Sequence, residues 1–151
     1  MFDRFTKPSR AAMTGSRDLC LEYGHEVIDA DHVLLALCGL AREGETRAGM
    51  LLERIGVTPD EVAAAVEARI ERGEPHRERP KRLLFSEPAK RTLEAAFEAA
   101  SRNGDHVIGT EHLLVGLASV AGSEAEVALR SVGATRERFD AALPELPEGT
   151  E

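Results

Sequence analysis

The sequence has no tryptophan, one tyrosine and five phenylalanines among its 151 residues. Any core must therefore be built mainly from Leu, Val, Ile and Ala, and stacking faces for sugars or bases are scarce. Two cysteines, Cys20 and Cys38, are too few for a disulfide framework. Both lie in apolar segments, where buried, reduced thiols are expected. Long apolar runs are missing as well. The longest, Val33 to Ala41, falls far short of the ~20 residues of a membrane span. Met1-Phe2-Asp3-Arg4 opens without a signal-peptide apolar region, so a cytoplasmic location is expected. Positive charge is not in excess: 19 basic against 27 acidic residues give −8, which opposes non-specific binding to nucleic acid or anionic membrane. Thirteen Gly and seven Pro exclude collagen-like and low-complexity chains. There is no G-x-x-x-x-G-K-[ST], H-E-x-x-H or G-x-S-x-G motif. No nucleotide cofactor, metal or enzymatic activity is therefore expected.

What is present is a repeat. At an offset of 80, Phe5, Pro8, Gly24, Val27, Ile28, His32, Leu34 and Leu37 meet identical residues at 85, 88, 104, 107, 108, 112, 114 and 117. After a three-residue deletion the offset is 77, which matches Leu52, Gly56 and Thr58 to Leu129, Gly133 and Thr135. A unit of about 70 residues occurs twice, and self-similarity on this scale marks a supersecondary unit that buries its core against its copy.

Each unit reads as four helices, giving an all-α fold of eight helices with the units related by a pseudo-twofold. Ser86 is a candidate N-cap with Pro88 in the first turn, and Ala89, Leu93, Ala96, Phe97 and Ala100 follow at helical spacing up to Asn103-Gly104. Later helices carry Leu113, Leu114, Leu117 and Val120, then Val127, Leu129 and Val132, then Phe139 and Leu143. Unit one repeats this from Thr6, and Thr58-Pro59 opens its fourth helix. Gly15 stands where unit two has Ala95, a weak spot worth ~1 kcal/mol of helix propensity. No period-2 run argues for a strand. The expected boundaries are repeat one over 1–72, a linker over 73–84 whose charged, Pro-bearing part (73–80) is exposed, repeat two over 85–143 and a tail over 144–151.

Two acid–His pairs, Asp31-His32 and Glu111-His112, stand at the starts of the second helices. Adjacent helical residues point about 100° apart and chelate a metal poorly, so His32 and His112 are expected to be structural. Read as residues alone, Thr6 and Ser86 are helix caps, while Asp31 and Glu111 are acids favoured at a helix N-terminus. A hydrolase using that carboxylate pair would need a sugar cleft, which nothing else in the sequence describes.

Phe5-Thr6, Gly24-His25 and Asp31-His32-Val33-Leu34-Leu35-Ala36-Leu37 form one signature. Phe85-Ser86-Glu87-Pro88-Ala89-Lys90, Gly104 and Ile108-Gly109-Thr110-Glu111-His112-Leu113-Leu114 form the other. Together they closely resemble the double repeat of Clp ATPase N-terminal domains, particularly the ClpC type, here without the ATPase modules. The resemblance implies a non-enzymatic recognition module of the Clp protease system, with degradation-marked proteins or adaptors and the ClpC/ClpP machinery as partners. It implies phosphoarginine binding once per repeat, through Thr6 with Asp31 and through Ser86 with Glu111. A helix N-terminus with a capping hydroxyl would take the phosphoryl group, and the carboxylate would take the guanidinium. Unit one departs from the family pattern at Asp29-Ala30-Asp31, losing Gly and Thr and shortening the acid by one methylene. The resemblance also implies a surface for cyclic peptide natural products made by Phe2, Arg10, Phe85, Lys90 and Glu94. Such a chain would act alternatively as a decoy that sequesters these peptides or substrates from a ClpC unfoldase.

Overall fold

The computed structural model describes residues 3–78, 80 and 82–151. Among them are eight α-helices. Unit one supplies α1 (Lys7–Glu22), α2 (Ala30–Glu43), α3 (Arg47–Arg54) and α4 (Pro59–Glu67). Unit two supplies α5 (Glu87–Arg102), α6 (Thr110–Ser119), α7 (Glu124–Ser131) and α8 (Arg136–Ala142). The repeat extends to the caps. Thr6 and Ser86 are the N-caps of α1 and α5, at φ −67 ψ 164 and φ −67 ψ 165, and their hydroxyls accept from the N–H groups of Ser9 and Ala89. Thr46 and Ser123 cap α3 and α7 in the same way, and Thr58 and Thr135 cap α4 and α8.

Helices α2 and α6 are the two axes of the core, buried continuously over residues 30–38 and 110–118. Helix α1 covers α2 and α5 covers α6, while α3 crosses to pack on α6 and α7 crosses to pack on α2. Each unit therefore lends its third helix to the other. Cys20 and Cys38 are free, buried thiols, as their apolar surroundings imply. Burial pushes their pKa values up to about 11 and about 12, which keeps them unreactive thiols. Among the described residues, no single helix is long and apolar enough to cross a membrane.

The all-α expectation holds, with two very short strands added to it. Two dipeptides, β1 (Val27–Ile28) and β2 (Leu84–Phe85), pair in parallel, Val27 with Leu84 and Ile28 with Phe85. An isolated parallel bridge joins Phe5 to Ile108. Two residues are too few to show an alternating pattern, so periodicity could not reveal them. Residues 73–78 are largely exposed, yet the stretch is tied down. Gly73 and His76 donate their N–H groups to the carbonyls of Tyr23 (2.7 Å) and Leu21 (3.1 Å). Gly24 makes that approach possible. It sits at φ +75, and a Cβ there would stand 2.4 Å from the Glu74 carbonyl oxygen.

Two mid-helix glycines have opposite meanings. A Cβ on Gly116 would meet the Thr92 carbonyl oxygen at 2.5 Å and the Ala96 nitrogen at 3.0 Å, because α5 and α6 touch backbone to backbone there. A Cβ on Gly15 would meet only Ala36 Cβ, at 3.4 Å. Gly116→Ala is predicted to cost about 1–3 kcal/mol through overpacking, whereas Gly15→Ala gains ~0.5–1 kcal/mol of helix propensity. Urea unfolding of the two variants checks both signs.

Candidate functional site

The strand pairings decide which residues meet. Thr6 donates its N–H to Ile108 O (3.0 Å), and Ile108 donates its own to Arg4 O (2.8 Å). The Thr6 hydroxyl is thereby held at the N-terminus of α6, in the other unit. By the same pairing Ser86 N–H donates to Ile28 O (2.9 Å), which holds the Ser86 hydroxyl at the N-terminus of α2. The hydroxyls of the expected pairs thus meet groups of the opposite repeat: Thr6 shares Glu151 with Thr110, next to Glu111 in the chain, and Ser86 bonds Asp29, two residues before Asp31. Each site is built from both repeats.

Site two lies between the N-termini of α3 and α6 and holds a carboxylate of the chain itself. Glu151 Oε1 accepts from the Thr6 hydroxyl (3.0 Å) and Thr110 N–H (2.6 Å), and its Oε2 accepts from the Thr110 hydroxyl (2.8 Å) and Arg47 N–H (2.8 Å). Four donors converge on one anion, two of them backbone groups at helix starts where partial positive charge accumulates. Beside this seat, Glu111 is 3% exposed. Its Oε2 accepts from Nε of Arg47, and its Oε1 accepts no hydrogen bond from the described residues. Arg47 also donates through Nη1 to Pro147 O (2.7 Å), gripping the tail.

Site one has the same frame with different charges. Asp29 Oδ1 accepts from the Ser86 hydroxyl (2.6 Å) and Ala30 N–H (2.8 Å). Asp31 is 7% exposed, and its Oδ1 accepts no hydrogen bond from the described residues. The place equivalent to Arg47, the first residue of the crossing third helix, is taken by Glu124. Burial, with negative charge from Asp29 and Glu124 adding to it, pushes Asp31 up to about 6.

His112 and His32 each bond the backbone that leads into their own helix. His112 Nδ1 accepts from Gly109 N–H (2.8 Å), so its Nε2–H donates to Asp105 Oδ2 (2.8 Å). His32 Nδ1 accepts from Asp29 N–H (2.9 Å), and its Nε2–H donates to His25 Nδ1 (2.7 Å). Burial, then the neighbouring His25, lowers His32 to about 4.

The remaining candidates separate. Arg10 and Phe85 line one cleft of about 320 Å³ with Met13, Arg17 and Ile28. Lys90 and Glu94 do not line it; they lie one turn apart on the exposed face of α5, where Lys90 pairs with Glu87 (3.3 Å). Phe2 lies outside the described residues. Thr110, Arg47, Asp29 and Glu151 are additions to the site. Thr110 and Asp29 were visible as differences between the repeats, whereas nothing in the spacing of Arg47 or Glu151 points to α6.

Comparison with known proteins agrees with this architecture. The family model described as the Clp repeat (R) N-terminal domain matches residues 4–132. The chain belongs to the Clp N-terminal domain family. This Clp N-domain is 33% identical over 117 residues to the negative regulator of genetic competence ClpC/MecB of Bacillus subtilis, covering 78% of this chain and 14% of that protein. It is 32% identical over 134 residues to the chloroplastic chaperone ClpC1 of rice, covering 89% and 14%. The domain thus spans about one-seventh of the length of these relatives. Among solved structures, the N-terminal domain of ClpD from Arabidopsis thaliana superposes with a TM-score of 0.68 at 27% identity, covering 94% of this chain and 93% of that one. The ClpV N-domain from Vibrio cholerae gives a TM-score of 0.74 at 18% identity, covering 95% and 85%, a likeness of fold.

The Asp31 environment predicts a pH signature. Its folded pKa lies above the ordinary 3.8, so between about pH 4 and 6 the native state holds a proton that the unfolded chain releases. Asp31 therefore lowers stability progressively as pH rises through that window, and the penalty is complete above it. Asp31→Asn is predicted to raise the unfolding free energy by roughly 1–3 kcal/mol at pH 7.5, with the gain shrinking towards zero near pH 4. Urea unfolding at pH 7.5 and 4.5 tests this, and an equal gain at both would contradict it.

Proposed function

We propose that this Clp N-domain is a non-enzymatic recognition module of the Clp proteolytic system, acting in the cytoplasm on proteins or adaptors marked with phosphoarginine. The observation that carries the reading is site two, where an anion seat and a buried carboxylate adjoin. Phosphoarginine joins a phosphoryl group to a guanidinium and needs both acceptors side by side. The seat supplies four donors to an anion, and Glu111 already accepts a guanidinium, that of Arg47. Chain carboxylate and arginine together stand in for the two halves of the ligand. Charge-assisted contacts of both kinds are the strong class of hydrogen bond. The seat's donors are the capping hydroxyl of Thr6 and groups of the first residues of α6 and α3, an arrangement suited to holding an anion rather than to catalysis.

A second reading rests on the cleft shared by Arg10 and Phe85, which would suit a compact apolar peptide. In that reading the domain is a decoy that keeps cyclic peptides or substrates from a ClpC unfoldase. The complex of a ClpV N-domain with a VipB peptide, a TM-score of 0.69 from this chain at 16% identity, is a peptide complex on the same fold.

Calorimetry with phosphoarginine tests the first reading. Glu111→Ala is predicted to weaken binding about ten- to hundredfold, the equivalent of ~1.5–3 kcal/mol for a charged hydrogen-bonding partner, and Asp31→Ala much less. Equal or negligible losses would return both acids to helix capping. Added in excess to a ClpC–ClpP degradation assay with a phosphoarginine-marked substrate, the isolated domain is predicted to inhibit monotonically, since it can only compete for ligand. Stimulation at sub-stoichiometric amounts would mark an adaptor instead.

A further inference from the structure

The two sites hold a carboxylate oxygen on the same pair of donors. In site two, Glu151 Oε1 sits on the Thr6 hydroxyl and Thr110 N–H; in site one, Asp29 Oδ1 sits on the Ser86 hydroxyl and Ala30 N–H. Thr6 and Ser86 are equivalent by the repeat, and so are Thr110 and Ala30. What differs is the tether. Asp29 is the residue next to its own backbone donor, whereas Glu151 reaches Thr110 from 41 positions away and Thr6 from 145.

The same comparison explains why site one can carry this side chain. In unit two the position of Asp29 is Gly109, where a Cβ would stand 1.9 Å from Glu111 Oε1. The long Glu111 folds back over the space that a side chain at 109 would need. In unit one the acid is Asp31, shorter by a methylene, and residue 29 has room for a carboxylate. Glycine with the long acid leaves the seat open. Aspartate with the short acid fills it.

We propose that Asp29 makes this domain monovalent: its carboxylate is a built-in occupant that shuts site one to a phosphoryl group, while Glu151 is a displaceable occupant of site two, released when ligand binds. The inference rests on the phosphoarginine reading above. A phosphoryl group brings up to two charges and three acceptor oxygens, so it outcompetes a single carboxylate held by a long strap. At site one the competing carboxylate is fixed within one residue of the seat, at very high effective concentration. A phosphoryl group there would also meet Asp29, the buried Asp31 and, in the place of Arg47, Glu124, whose carboxylate pairs with Arg69 (3.2 Å). Repulsion adds to occlusion.

The test is a calorimetric titration of the full chain with phosphoarginine, paired with an amide NMR map. Wild type is expected to bind one equivalent, shifting the amides of Arg47, Thr110 and residues 148–151 and sparing those of Ala30 and Ala89. Removing residues 147–151 should tighten binding about three- to tenfold at unchanged stoichiometry, as for a site that the tail keeps mostly closed. Asp29→Gly with Ala30→Thr, which copies the sequence of unit two, should raise the stoichiometry to two. Should that variant fail to fold, the wild-type map still decides, because shifts at Ala30 and Ala89 would overturn the proposal. Two equivalents in wild type, or no gain on removing the tail, would also overturn it while leaving phosphoarginine recognition standing. No heat and no shifts in any variant, the tail deletion included, would instead refute the recognition itself.

Discussion

The constraint on which the rest depends is an exchange of backbone hydrogen bonds between the repeats. The extended residues before each first helix pair with the segment leading into the other unit's second helix, Phe5 with Ile108 and Phe85 with Ile28. The contact is short, yet it fixes the register between two otherwise similar halves. It also places the hydroxyl that caps one unit's helix at the start of a helix in the other. Helices α3 and α7 extend the exchange by packing on α6 and α2, so no site belongs to a single repeat. Both anion seats have a capping hydroxyl and the N-terminus of a buried helix as contributors, and site two adds the start of a crossing helix.

Within that shared frame, small differences in sequence reverse the electrostatics. Site two has Arg47 at the start of the crossing helix, a glycine before the buried helix and a long acid. Site one has Glu124, Asp29 and the shorter Asp31. The buried Glu111 is compensated by a guanidinium, whereas the buried Asp31 has Asp29 and Glu124 against it, offset in part by a backbone hydrogen bond from His32 and by His25, and burial with these charges raises its pKa. A buried carboxylate without a partner costs stability. The two repeats share a fold and differ in charge pattern.

Much of the fold was legible in the sequence because it is written twice. Gly24 and Gly104, Thr58 and Thr135, and the two acid–His pairs each mark the same structural event, and independent repetition of weak signals makes a strong one. The caps and the helices follow from such pairs. The partnering within the sites did not follow, since Thr6 lies 25 positions from Asp31 and 105 from Glu111, and only the two-residue pairings decide between them. Arg47 and Glu151 were hidden for a related reason: a helix start and a tail carry no periodicity that names what they touch. Asp29 was visible as a departure from Gly109, but its meaning depends on the fold-back of Glu111.

The claim that each seat is shared between the repeats is tested most directly by a double-mutant cycle on phosphoarginine affinity. Thr6→Ala and Thr110→Ala belong to different units and, in this account, hold the same anion. Their effects should be non-additive by at least ~0.5 kcal/mol, while Thr6→Ala and Asp31→Ala, from the same unit, should add within ~0.3 kcal/mol. Coupling of Thr6 to Asp31, with additivity between Thr6 and Thr110, would contradict the account.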